Sequence, residues 1–147
     1  MKIKGLYLHN FRNYGLCSLQ FPAMVNIFYG KNAQGKTNLL EAIFYAAFGM
    51  SHRTFQEDDL FGDGQREMAV KADFTSFDSD YEIKIKRYEQ NGRIKKELLL
   101  DNVNIRAKEH YGTLNTVMFS PEDLELVKGS PSARRKFIDS SVSQLYP

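Results

Sequence analysis

The sequence predicts an α/β domain, and three patterns lead to that fold class. An apolar run at residues 25–29 ends at a glycine. After a short loop, apolar residues recur at helical spacing from Asn38 to Phe48, and Gly49 ends the helix. Residues 68–74 and 81–85 alternate apolar and polar side chains, as half-buried strands do. Together these patterns predict a mixed sheet with one helix packed under it.

Further strands are predicted before and after that helix. Residues 3–9 and 16–21 read as two strands joined by a turn at 10–14, and the run 25–29 is too short for a helix and predicts a buried strand. Asn91-Gly92 is a strong hairpin signal, because both central positions of such a turn require positive φ. Residues 94–100 form the return strand, so residues 66–105 are predicted to be an antiparallel β subdomain.

The last third of the chain is predicted to be helical. Ser120 can cap a helix whose first position is Pro121, and Lys128 and Gly129 suit its end. Ser130-Pro131 begins a second helix.

Composition excludes several classes of protein. The 147 residues carry a net charge of +2 and one cysteine, Cys17, so neither a basic DNA-binding composition nor a disulfide framework is present. No signal peptide and no run of about 20 apolar residues is evident, which predicts a cytoplasmic protein with no membrane association.

The loop between the apolar run and the helix fits the pattern G-x-x-x-x-G-K-[ST]. The two glycines let backbone N–H groups turn toward a phosphate, and the helix start adds the positive end of its dipole. The lysine can reach the β- and γ-phosphates, and Thr37 can bind Mg²⁺. The sequence thus predicts a site for ATP and Mg²⁺. Its residues are Gly30, Lys31, Asn32, Ala33, Gln34, Gly35, Lys36, Thr37 and Asn38.

Hydrolysis also needs an acidic residue at the end of a second apolar strand. Residues 98–101 end in Asp101 and are the one similar segment, but they are better explained as the return arm of the Asn91-Gly92 hairpin. The same hairpin is rich in cations, and Lys84, Lys86 and Lys95 are candidates for contacting a DNA backbone. The alternative is a solvated face, because Glu82, Glu89 and Glu97 dilute its charge.

Several segments resemble the RecF family of bacterial DNA-repair proteins. They are residues 6–14, 29–43, 51–53, 119–131 and 134–139. The resemblance implies lobe I of an ABC-type ATPase head spanning residues 1–147, in a chain shorter than the family. It implies that the acidic strand and the signature motif lie outside this chain. The chain alone is therefore predicted to be inactive as an ATPase.

By the same resemblance, Arg12 and Asn13 lie beside the nucleotide, although a surface arginine in a turn is the alternative for Arg12. Arg53 lies at a dimer or DNA face or in a surface loop. A Q-loop-like segment contains Ser120, Glu122 and Asp123, for which helix capping is an equally complete explanation.

The function implied by the resemblance is ATP-switched DNA repair. ATP would drive homodimerisation of the full-length protein, DNA at single-strand/double-strand junctions would be the nucleic-acid target, and RecR would be the protein partner. Gap repair and the SOS response would be the setting. The alternatives are an SMC-type structural ATPase head and a small P-loop kinase.

Overall fold

The computed structural model describes residues 1–54, 56–119, 130–132, 134, 135, 138, 139 and 142. The described residues from 131 onward are helical, in agreement with the second predicted C-terminal helix. The helix predicted to begin at Ser120, and with it Glu122 and Asp123, lies outside the described residues. In the part of the chain that is described, no helix has the length and apolar character needed to cross a membrane.

Within the described residues, six antiparallel strands form one sheet in the order β2-β1-β3-β4-β5-β6. Period-two alternation sends one set of side chains of each long strand to an inner face and the other set to an outer face. The strands predicted at residues 3–9, 16–21, 68–74, 81–85 and 94–100 are confirmed as β1 to β5, whereas the short strand β6 was not predicted. Their bounds are β1 Lys2–Phe11, β2 Tyr14–Gln20, β3 Glu67–Ser76, β4 Ser79–Gln90, β5 Arg93–Leu100 and β6 Val103–Asn104.

Three tight turns connect β3 to β6, and each has positive φ at both central residues. Asn91 and Gly92 have φ of 53° and 71°, which confirms the predicted hairpin turn. The turn after β5 has φ of 49° at Asp101 and 64° at Asn102. The Asp101 carboxylate accepts a hydrogen bond from the backbone N–H of Glu82 at 2.8 Å. Residues 98–101 are therefore a hairpin arm, as predicted, and Asp101 secures the turn.

Helix α1, Lys36–Phe48, packs on the inner face of the sheet. Ala42, Tyr45 and Ala46 are fully buried against Leu6, Leu8 and the inward side chains of β3 and β4. Gly49 ends the helix at φ 69°, and its N–H donates to the Tyr45 carbonyl oxygen at 2.7 Å, as expected of a left-handed C-cap. A short helix α2, Ala107–His110, brings the buried His110 against this end.

The prediction of a buried strand at residues 25–29 is wrong. The segment forms no strand, and Val25, Ile27 and Tyr29 are 76%, 79% and 92% exposed. Only Phe28 packs inward, with its ring edge against the ring of Phe21. The apolar run satisfies the local criterion for a strand, but among the described residues no strand lies beside it to accept its backbone hydrogen bonds.

The turn between β4 and β5 gives a test of this fold. Replacing Gly92 by Ala forces a Cβ into positive φ, which costs roughly 1–2 kcal/mol. Gly15→Ala is the matched control, because Gly15 has no positive φ and nothing lies within 4 Å of the added carbon. Urea denaturation should show a loss for Gly92→Ala and nearly none for Gly15→Ala. Equal values for the two variants would contradict the assigned turn.

Candidate phosphate-binding site

The loop before α1 curls through three residues of positive φ. Gly30, Ala33 and Gly35 have φ of 143°, 61° and 95°. Gly35 is required for a second reason, since a Cβ there would lie 2.7 Å from both amide atoms of Asn13 and 2.9 Å from the Tyr14 hydroxyl. The turn between β1 and β2 therefore closes over the end of the loop.

The start of α1 favours an anion. No side chain within the described ranges caps the helix N-terminus, and its first turn contains no acidic residue. Backbone N–H groups and the positive end of the helix dipole are thus left for a negatively charged ligand. The Lys36 ammonium donates to the carbonyl oxygens of Gly30 at 2.8 Å and Lys31 at 2.6 Å, so it lies across the loop. These features fit a phosphate group.

Thr37 follows at the start of the helix and is exposed. No group of three His, Cys, Asp or Glu side chains suited to a metal ion occurs in the described segments.

A buried carboxylate lies directly behind the loop. Glu41 is fully buried, and Arg12 donates two hydrogen bonds to its carboxylate, from Nη2 at 2.6 Å and from Nε at 3.0 Å. The Ser51 hydroxyl donates to it at 2.5 Å, and Arg53 Nη1 lies 3.3 Å away. Burial acts to raise the pKa of Glu41, but the hydrogen bonds from Arg12 and Ser51 and the charges of both arginines outweigh it and hold the pKa below its usual value.

This cluster is joined to the loop by two asparagines. Arg53 Nη1 also donates to Asn38 Oδ1 at 2.9 Å, and Asn38 Nδ2 donates to Asn13 Oδ1 at 2.8 Å. Asn13 in turn contacts Gly35. The turn after β1, the start of α1 and the segment after α1 therefore meet beside the phosphate loop, as we call residues 30–37.

The predicted site residues are only partly brought together. Asn13, Asn38 and Arg53 lie beside the loop as one hydrogen-bonded group. The Arg12 guanidinium donates to Glu41 and, from Nη1, to the Asp59 carbonyl oxygen at 2.9 Å. Its part in phosphate contact stays a prediction. Sequence reasoning missed Glu41 and Ser51, because the partners of Glu41 are distant along the chain and no local pattern marks them.

The hairpin has six cations that do not form one patch: Lys84, Lys86, Arg87, Arg93, Lys95 and Lys96. Arg87 is 6% exposed and points inward, where Nη1 donates to the Glu57 carbonyl oxygen at 2.5 Å. Lys96 also points inward and donates to the Gly49 carbonyl oxygen. Lys84 and Lys86 lie on one face of β4, and Lys95, which pairs opposite Tyr88, lies on the same outer face. Arg53 lies by α1, on the other side of the sheet, so the predicted DNA-contacting residues occupy two faces.

The outer face is a shallow groove of about 890 Å³. Within the described residues, Lys84 and Lys95 have no acidic partner, whereas Lys86 lies 3.9 Å from Glu97. Lys71 is held between Asp73 and Glu82 at 3.3 Å and 2.8 Å and stacks over the Tyr7 ring. Of the three lysines predicted to contact DNA, only Lys86 therefore lies beside a carboxylate in the described part of the chain.

The two arginines of the Glu41 cluster should differ in their effect on stability. Arg12→Gln leaves a buried carboxylate without its main partner, which costs about 3–5 kcal/mol. Arg53 is 40% exposed, so Arg53→Gln should cost at most about 1 kcal/mol. Urea denaturation at neutral pH measures both, and equal losses would contradict the assignment of Arg12 as the main partner.

The chain is similar to known proteins over nearly its whole length. A family model described as an AAA domain matches residues 6–146. The DNA replication and repair protein RecF of Clostridium acetobutylicum is 43% identical over 146 residues, which cover 99% of this chain and 39% of that protein. RecF of Lactococcus lactis subsp. lactis is 43% identical over 147 residues, with 99% and 40% covered. The chain thus spans well under half the length of these relatives.

Solved structures agree with this likeness. The recombination mediator protein RecF-ATP in the RecFOR pathway superposes with a TM-score of 0.87 and 35% identity, covering 97% of this chain and 39% of that one. The SMC head domain from Thermotoga maritima superposes with a TM-score of 0.53 and 24% identity over 74% of this chain and 40% of that one, which shows the fold alone. The predicted resemblance to RecF and the predicted fold class are confirmed. The chain belongs to the AAA domain family, as a relative of RecF with the fold of an ABC-type ATPase head.

Proposed function

We propose that this chain is the ATP-binding part of a RecF-like DNA repair and recombination protein. The observation that carries the proposal is the loop of positive-φ residues at the uncapped start of α1, with the Lys36 ammonium lying across it. One of the similar solved structures is named RecF-ATP, which supports ATP as the nucleotide.

Mg²⁺ is the second proposed ligand. Bound Mg²⁺ neutralises charge on the β- and γ-phosphates, and Thr37 is the residue that would hold it. The backbone of residues 30–37 would orient the phosphates, and Lys36 would pair with their charge.

ATP in this proposal acts as a switch for the full-length protein. The γ-phosphate would favour association of two copies, and that closure would change the grip on DNA. The relatives' names as repair protein and recombination mediator in the RecFOR pathway support a role in gap repair, with RecR as a partner and single-strand/double-strand junctions as the DNA. Action in the SOS response and a cytoplasmic location belong to the same proposal.

The outer face is the proposed DNA contact. Lys84, Lys86 and Lys95 lie on neighbouring antiparallel strands, so their ammonium groups can follow a phosphate backbone without reading its sequence.

An SMC-type head and a small kinase are less favoured, because 43% identity over 99% of the chain points to RecF, whereas the SMC head matches at 24%.

Lys36→Ala should remove most of the affinity for Mg-ATP. Deleting one charge-assisted contact of about 1.5–3 kcal/mol weakens binding by roughly 10- to 150-fold. Isothermal titration calorimetry measures the change, and Lys108→Ala, at an exposed position in α2, should bind like the unaltered chain. Equal affinity of the Lys36→Ala variant and the unaltered chain would remove the basis of the proposed site.

Replacing Lys84, Lys86 and Lys95 together by Gln should weaken DNA binding and reduce its salt dependence. Loss of three phosphate contacts lowers the slope of log K against log salt concentration by roughly 2–3 units. The matched control replaces Arg66, Lys108 and Arg134, three exposed cations that lie on neither β4 nor β5, and should change the slope much less. An unchanged slope for the outer-face variant would support the solvated-face alternative.

The 147-residue chain by itself should show no ATP turnover above a Lys36→Ala control. Groups supplied across an interface to the transferring phosphoryl commonly contribute about 10³-fold or more. Glu41 is occupied by two arginines, and Asp101 is fixed in a hairpin turn. A phosphate-release assay over a range of protein concentrations tests this. Hydrolysis that disappears in Asp101→Ala would overturn it.

A further inference from the structure

The Glu41 carboxylate has more cationic partners than a structural ion pair requires. The bidentate Arg12 contact alone neutralises the carboxylate, and the Arg12 side chain is itself only 18% exposed. Arg53 adds a second positive charge at 3.3 Å, with a side chain that is 40% exposed. The carboxylate therefore holds Arg53 in place at little benefit to stability, because exposed ion pairs contribute little.

The position of Arg53 is set by α1 as well as by Glu41. One nitrogen, Nη1, donates to Asn38 and to Glu41, which are three residues apart and so lie on one side of the helix. Ser51 fixes the segment that carries Arg53. Its hydroxyl donates to Glu41 and accepts the backbone N–H of Arg53 at 3.0 Å.

The other end of this chain of contacts reaches the loop. Asn38 accepts a hydrogen bond from Arg53 and donates one to Asn13, whose amide atoms lie 2.7 Å from the position that a Gly35 Cβ would take. A change at Glu41 therefore alters the order of the turn above Gly35 and of the segment that carries Arg53. Both adjoin the N–H groups that would hold a phosphate.

We propose that Glu41 is a positioning residue for nucleotide binding, which orders the turn at residues 12–14 and the segment at 51–54 around the phosphate loop. This inference rests on the proposed function, because it concerns the same site. Glu41 touches no phosphate in it. The carboxylate fixes the turn and the segment beside the loop, and it reduces the repulsion between Arg12 and Arg53. Two positive charges and one negative charge leave a net charge of +1 there, which attracts a polyphosphate.

The test compares the Mg-ATP affinity of the unaltered chain by calorimetry with that of Lys36→Ala, Glu41→Gln, Ser51→Ala and a control variant. Glu41→Gln should weaken binding about tenfold, comparable to loss of one charge-assisted hydrogen bond. Ser51→Ala keeps the Arg12 pair and should weaken binding by a smaller factor. Glu109→Gln is the matched control, since it makes the same chemical change in the exposed capping box of α2 and should leave affinity unchanged.

Amide hydrogen exchange without nucleotide separates positioning from a general loss of stability. Glu41→Gln should speed exchange at residues 12–14, 34–36 and 51–54 more than in β3 and β4. Uniformly faster exchange would indicate a merely structural role and overturn the inference.

The outcomes distinguish the two claims. If Lys36→Ala binds as the unaltered chain does, the proposed function fails and this inference fails with it. If Lys36→Ala loses binding while folded Glu41→Gln stays within twofold of the unaltered chain, only the inference fails. Should Glu41→Gln not fold, Ser51→Ala decides, and unaltered affinity there overturns the inference.

Discussion

The packing of α1 on the inner face of the sheet is the constraint on which the rest of the structure depends. Small residues at 42, 46 and 47 let the helix lie close to β1 and β3, and the fully buried Tyr45 ring packs 6.0 Å from that of Phe11. The helix cannot slide or rotate without opening this contact, because interiors are close-packed. The N-terminus of α1 is therefore fixed at the end of β1. The phosphate loop directly precedes α1, so its position is fixed as well.

One polar residue interrupts this apolar packing. Glu41 is fully buried, and an isolated carboxylate at such a site would carry a large desolvation cost. Arg12 and Ser51 offset that cost, but only when the turn after β1 and the segment after α1 are both in place. The helix thus packs stably only in company with the two segments that adjoin the loop.

Local patterns predicted most of the fold and the centre of the site. Alternation gave the long strands, positive-φ preferences gave the Asn91-Gly92 turn, and the loop sequence gave the position of Lys36 at a helix start. The failures were non-local. Residues 25–29 have the composition of a buried strand, but periodicity reports which side chains suit burial and cannot name what covers them. Glu41 was missed for the same reason, since its partners are 29 residues before it and 10 and 12 residues after it along the chain.

The cations of the hairpin show how a sheet divides a charged sequence. Lys84 and Lys86 alternate with Ile85 and Arg87, so a cluster of six cations in sequence becomes an outer set and an inner pair. The inner pair, Arg87 and Lys96, stabilises the contact with residues 49 and 57.

The loop and the outer lysines lie on opposite faces of the sheet, and β1 and β3 contribute side chains to both faces. A polyanion on the outer face and a nucleotide at the loop would not compete for the same side chains. Any influence of one on the other must pass through the hydrogen-bonded sheet or through the association of two copies, and the continuous pairing of β1, β3 and β4 favours a rigid sheet over a local side-chain path.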